Sequence, residues 1–203
     1  YSRVNQEVDE LMLQMNTASP RGEGIVAKYK IPDLEIHNKN LFIPRRSYIE
    51  AAGKILEKDS FLLITGSSGM GKSILSLQVA EVFGVSWKTE CFRMQQANQI
   101  KHILTNVYEY LLVEDSDIIL DDLNFETGYE LYTDNLVRVI NLLLAKNRKL
   151  IITSHKPLPS SIRLKLDLSE DISLSIGNFE SNEIDLLLKK NSCPEKDLAM
   201  WRR

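Results

Sequence analysis

Hydrophobic and polar positions along this chain follow two different periods. Short continuous apolar runs, Phe61-Leu62-Leu63-Ile64-Thr65, Ile118-Ile119-Leu120 and Leu150-Ile151-Ile152-Thr153, have no polar face and read as strands covered on both sides, as in a parallel sheet. Residues 86–94 and 172–176 read as two more strands. Between strands the period changes. Ile100, Ile103, Leu104, Val107, Tyr108, Leu111 and Leu112 recur every three or four residues and predict a long amphipathic helix. Helices are also predicted at 47–56, 72–83, 134–146 and 181–190, the last with Ser181 as its candidate cap. No element is assigned between 155 and 171. Strands alternating with helices of this length imply an α/β fold, a parallel five-stranded sheet covered by helices on both faces.

Upstream, residues 2–15 put Val4, Val8, Leu11, Met12 and Met15 on one helical face, and Pro and Gly in 17–24 then break the pattern. Residues 1–24 therefore read as a helix and linker entering from an upstream region. Residues 25–60 hold an irregular segment and a helix, 61–192 the alternating core, and 193–203 the start of a further helical domain. The chain lacks an initial Met and stops at Trp201-Arg202-Arg203, in what reads as a first helical turn, so a piece of a longer protein is expected.

Composition narrows the class. With 43% hydrophobic and 26% charged residues, 9 Gly and 6 Pro, the chain lies outside the disordered and collagen-like ranges. Runs such as Leu142 to Ala145 fall far short of the roughly 18 residues a bilayer span needs, so no membrane partner is expected. A net charge of −3 lacks the basic excess of a dedicated nucleic-acid binder. Cys91 and Cys193 stand far apart and read as reduced thiols of a cytoplasmic protein, and His37, His102 and His155 form no ligand pair. Charge is nevertheless segregated. Residues 114–134 carry eight acidic side chains and no Lys or Arg, whereas 135–166 carry seven basic ones and no Asp or Glu. Two solvated edges of opposite sign and a partner-steering surface both fit this pattern.

Residues 66–73 read GSSGMGKS, directly after the 61–65 strand and before the 72–83 helix. In that setting G-x-x-x-x-G-K-S is a phosphate-binding P-loop. Its candidate nucleotide-binding residues are Gly66, Ser67, Ser68, Gly69, Met70, Gly71, Lys72, Ser73 and Ile74. The glycines let successive N–H groups converge on phosphate oxygens while the helix directs its positive end at the same place. Lys72 adds a point charge for the β and γ phosphates, and Ser73 a hydroxyl for Mg²⁺. Ile118-Ile119-Leu120-Asp121-Asp122, a buried strand ending in two carboxylates, is a Walker B pattern, with Asp121 facing the metal and Asp122 polarising the attacking water. The 150–153 strand ends in Thr153, Ser154 and His155. If that strand lies between the other two, Thr153 or Ser154 reaches the γ-phosphate or its attacking water, and Ser154 joins Lys72, Asp121 and Asp122 as a catalytic candidate.

On these residues the sequence resembles the STAND NTPases, the signal-transducing P-loop ATPases related to AAA+ proteins that include NACHT and NB-ARC proteins and many bacterial defence ATPases. Phe42-Ile43-Pro44-Arg45-Arg46 looks like the family's segment against the adenine, which implies base or ribose contacts for Ile43 and Arg45. Pro44 stands where Gly is usual, Arg46 where Glu is usual, and His155 where the sensor strand commonly ends in Arg. No Asn-Lys-x-Asp element follows the sensor strand, which favours ATP over GTP. The resemblance implies a slow regulatory ATPase using ATP and Mg²⁺, homo-oligomerisation of the full-length protein controlled by nucleotide state, and effector and sensor domains outside these residues. Two other readings stay open. One is an AAA+ DNA-acting ATPase of helicase-loader or transposition-regulator type, with Arg163 as candidate arginine finger and Lys146, Arg148 and Lys149 as phosphate contacts. The other is a nucleotide-binding scaffold without turnover.

Overall fold

The computed structural model of the protein describes residues 43–83, 89–93, 97–126 and 128–190. The helix expected at 2–15, its linker, Phe42 and the segment 193–203 lie outside them. Five strands, β1 (Phe61–Thr65), β2 (Thr89–Arg93), β3 (Asp117–Leu123), β4 (Leu150–Ser154) and β5 (Ser173–Ser175), form one sheet in the order β2-β3-β4-β1-β5. Every neighbouring pair is parallel. The helices are α1 (Arg46–Asp59), α2 (Lys72–Phe83), α3 (Ala97–Val113), α4 (Thr133–Ala145), α5 (Ser160–Leu166) and α6 (Ser181–Lys190).

The apolar runs carry no polar face because both sides of the sheet are covered. Successive strand residues point to opposite faces. Phe61, Leu63, Ile118, Leu120, Leu150 and Ile152 accordingly pack under α3, α4 and α5. Leu62, Ile64, Ile119 and Ile151 pack against α1 and α2 on the other side. On α3, Ile100, Ile103, Leu104, Val107 and Leu111 are buried, but Leu112 is 57% exposed. It lies about 100° round the helix from Leu111, past the edge of the stripe that the sheet covers.

Two expectations at the C-terminal end are corrected. Residues 160–166, assigned to no element, form α5 behind Pro157 and Pro159. Its 7 residues bury only Ile162 and Leu166, too few apolar positions to display a period. Ser181 is the first residue of α6 rather than its cap. Glu180 holds the cap position, since its carbonyl accepts from the Ile184 N–H. Its own N–H donates to Glu183 Oε2 at 2.8 Å. This is the half of a capping box in which the carboxylate reaches back from the third helical residue.

Candidate functional site

Because β1 runs directly into the loop and α2 leaves it, GSSGMGKS sits at the carboxyl edge of the sheet, where open α/β folds bind ligands. Gly66 has φ +154, and a Cβ there would lie 2.8 Å from the Ile176 carbonyl oxygen, so only glycine lets β5 end against the base of the loop. Gly71, at φ +83, turns the chain into α2. Ser67, Ser68 and Gly69 are exposed at the loop's rim, and Met70, Ser73 and Ile74 are half-buried. Lys72 is 7% exposed, and its Nζ donates to the carbonyl oxygens of Gly66 and Ser67 at 2.9 Å each. Burial pushes its pKa down from the ordinary lysine value, and the nearby Asp122 and Asp121 carboxylates oppose that shift.

Those carboxylates stand at the same carboxyl edge of the sheet as the loop, with β4 lying between β1 and β3, the arrangement on which the sensor assignment depends. The β3–β4 register slips between Leu120, opposite Ile152, and Leu123, opposite Ser154. One extra residue on β3 therefore makes a bulge that contains both acids. Asp122 takes φ +60 there, a left-handed conformation that Asp and Asn tolerate better than most residues. Fully buried Thr153 clasps the bulge: its Oγ1 donates to Asp121 Oδ1 at 2.7 Å and accepts from the Asp122 N–H at 2.8 Å. Asp121 is 2% exposed. Asp122 is more open, with Oδ1 3.4 Å from His155 Nε2. Ser154 is buried at the end of β4, where its Oγ accepts from the Lys156 N–H at 3.2 Å. Thr153, not Ser154, is thus the strand-end hydroxyl in contact with both acids. A bulge of one residue has no signature in an apolar run ending in Asp-Asp, so this clasp was not legible from spacing.

Among the described residues no three His, Cys, Asp or Glu side chains converge to hold a metal. The Ser73 hydroxyl and the buried Asp121 carboxylate are hard oxygen donors too few for a cage of their own, which fits Mg²⁺, an ion held by one or two protein groups plus phosphate oxygens and water.

Ile43 and Arg45 are anchored to the loop's surroundings. Ile43 is buried, and its carbonyl accepts from Gln78 Nε2 of α2 at 3.0 Å. Arg45 is 3% exposed. Its Nε pairs with Glu183 Oε1 at 3.3 Å, and Nη1 donates to the carbonyl oxygens of Met70 at 3.4 Å and Gly177 at 3.1 Å. Nη2 donates to the Asn178 carbonyl at 3.0 Å. Tyr48 and Phe179 lie 4.4 and 4.9 Å from the guanidinium. The guanidinium expected at the adenine or ribose is therefore engaged by protein groups.

A family model described as Novel STAND NTPase 3 matches residues 42–198, well over half of the chain. The chain belongs to this STAND NTPase family. Solved structures similar to this STAND NTPase include a replication initiator DnaA bound to AMPPCP and single-stranded DNA, at 18% identity and TM-score 0.56, covering 85% of this chain and 59% of that one. Domain III of the Thermotoga maritima replication initiation protein DnaA matches at 16% identity and TM-score 0.56, covering 78% and 75%. A katanin structure matches at 12% identity and TM-score 0.56, covering 86% and 65%. At these identities the likeness is one of fold. The chain spans 59% of the first of these structures, and no curated protein matches its sequence.

Proposed function

We propose that this domain is an ATP-binding and slowly hydrolysing switch, and that its nucleotide state controls assembly of the full-length protein in signalling or defence. The reading is carried by one observation, the insertion of β4 between β1 and β3, which puts the Asp121 and Asp122 carboxylates within electrostatic reach of Lys72. Backbone N–H groups of the loop hold the α and β phosphates of ATP, and Lys72 exchanges its loop carbonyls for β- and γ-phosphate oxygens. When bound, Mg²⁺ is held by the Ser73 hydroxyl and the Asp121 carboxylate and neutralises phosphate charge. Asp122 accepts the proton of the attacking water as the bond from the γ-phosphorus to the bridging oxygen breaks, releasing ADP and phosphate. Basic residues of the 135–166 run are engaged within the domain, Lys146 and Arg148 by Asp115, Lys156 by Glu126 and Lys165 by Asp134, which favours a switch over a DNA-tracking enzyme.

Calorimetry and phosphate release test the reading. Lys72→Ala is expected to abolish ATP binding, and unchanged affinity defeats the assignment. Asp122→Asn keeps a side chain that tolerates the left-handed backbone, so Mg-ATP binding is retained while turnover falls about a hundredfold or more. Normal turnover by that variant moves the base to Asp121 or Glu126.

A further inference from the structure

Arg45 and Glu183 connect parts of the protein that the proposed reaction does not itself link. Among the described residues α6 contributes nothing to either apolar cluster of the core. Its one buried residue is Glu183, while Leu186 is 51% exposed. Ile184, Leu187 and Leu188 are half-buried, so hydrophobic burial holds this helix only in part. A buried polar anchor adds to it. Glu183 Oε1 accepts from Arg45 Nε at 3.3 Å, and Oε2 accepts from the Glu180 N–H that opens the helix. One carboxylate thus both caps α6 and anchors it.

The other end of the anchor is the P-loop. Arg45 Nη1 donates to the Met70 carbonyl at the loop's turn, and also to Gly177 in the segment that leads from β5 into α6. Tyr48 reinforces this junction, its hydroxyl accepting from the Gly177 N–H at 3.2 Å. Below the loop, Gly66 lies so close to Ile176 that a Cβ there would meet its carbonyl oxygen at 2.8 Å, which puts the loop base in direct contact with the end of β5. A guanidinium is planar and carries several donors in a fixed fork, so displacement of one accepting carbonyl shifts the geometry available to the rest. A buried charge pair is also intolerant of half measures, because losing one partner strands the other charge.

We propose that Arg45 and Glu183 form a latch coupling the P-loop to α6, so that nucleotide binding at the loop and docking of α6 are thermodynamically linked. The proposal rests on the nucleotide-binding reading of the loop and goes beyond it by naming the residues through which occupancy reaches the C-terminal helix. Reciprocity is required: if ATP tightens α6, loosening α6 weakens ATP by the same factor. Arg45 and Glu183 are positioning residues, acting through the Met70 carbonyl and the α6 cap.

Hydrogen exchange of the wild-type protein with and without Mg-ATP is the first test. ATP is expected to slow exchange in residues 181–190 as well as in 66–74. ATP that protects the loop but leaves α6 unchanged overturns the latch, whereas a protein that binds no ATP overturns the nucleotide-binding reading instead. The second test is a double-mutant cycle on ATP affinity with Glu183→Gln, Arg45→Lys and both, using the slow-exchanging amides of β1 and β4 as the control for folding. Each single variant is expected to weaken ATP by about tenfold, within the usual range of coupling between sites, and the double variant by little more than either. Glu183→Gln is also expected to remove the ATP-dependent protection of α6. Wild-type affinity in both single variants, or losses that simply multiply, overturns the proposal.

Discussion

A single buried hydroxyl sets the positions of two carboxylates. Thr153 Oγ1 donates to Asp121 and accepts from the backbone of Asp122, so Thr153→Val keeps the side-chain shape and removes both bonds. A buried acceptor or donor left unpaired costs roughly 1–3 kcal/mol. The variant is expected to unfold at lower urea and to lose about tenfold or more in turnover while still binding Mg-ATP, since the loop that holds the phosphates is untouched. Wild-type phosphate release by Thr153→Val shows that the bulge holds the acids without the clasp. Asp117, at the start of β3, poses a different question. Burial pushes its carboxyl above the usual aspartate value, against a hydrogen bond from the Lys149 N–H and the charges of Arg148 and Lys149. A raised folded-state pKa means that ionisation costs stability as pH rises through it. Asp117→Asn keeps an acceptor for the Lys149 N–H without the charge, so its Tm is expected above the wild type's at pH 7 and level with it near pH 3. The reverse order in thermal unfolding shows the ionised carboxylate to be stabilising.

At the scale of elements, α3 has an apolar period that runs over several turns, whereas β5 is a short strand at the edge of the sheet. β5 is 3 residues long and among the described residues pairs only with β1, its end fixed by the Ile176 N–H to the Thr65 carbonyl at 2.8 Å. Gly66→Ala drives a methyl group into the Ile176 carbonyl at a φ that other residues rarely adopt. Relief requires β5 to move. The expected loss is about 1–3 kcal/mol of stability in urea, with faster hydrogen exchange in β5 and α6 and little change in β3. Uniform acceleration across the sheet places Gly66 in the global core instead. The same contrast explains what the pattern predicted. The stripe of α3 declared itself, while α5, under two turns long, and the Glu183 cap of α6 depended on neighbours distant in sequence.

Across the whole molecule, the acidic and basic runs that follow one another in sequence fold back onto each other. β3 and β4 are adjacent, so Arg148 reaches Asp115 at 2.8 Å and Lys146 reaches the same carboxylate at 3.6 Å, while α5 packs on α4, so Lys165 reaches Asp134 at 2.9 Å. The two edges of opposite sign are in large part partners of one another. The Arg148 hydrogen bond holds the Asp115 carboxyl below the usual aspartate range, and the Lys165 hydrogen bond does the same for Asp134. A depressed folded-state pKa contributes stability that is present above the unfolded value and is lost as pH falls below about 4. Asp115→Asn/Asp134→Asn is therefore expected to lower Tm at pH 6 and to lose less than the wild type between pH 6 and pH 3. Added salt should shrink the difference at pH 6, because these pairs are exposed. Parallel acid limbs for variant and wild type show that the pairs contribute nothing measurable.

What the sequence determined by itself is whatever short-range physics can encode. Apolar runs without a polar face demanded a two-sided sheet, the α3 stripe demanded a helix, and GSSGMGKS between strand and helix demanded a phosphate loop. Only the tertiary structure decided the strand order that brings β3 beside β4 and both acids within reach of Lys72. It alone made Thr153 the clasp of a bulge and drew Arg45 away from solvent onto Glu183. The physical reason is common to these outcomes. A run of side chains reports its period and its burial, but which carbonyl or carboxylate satisfies a buried donor depends on which distant segment packs beside it, and that follows from crossovers between strands rather than from spacing along the chain.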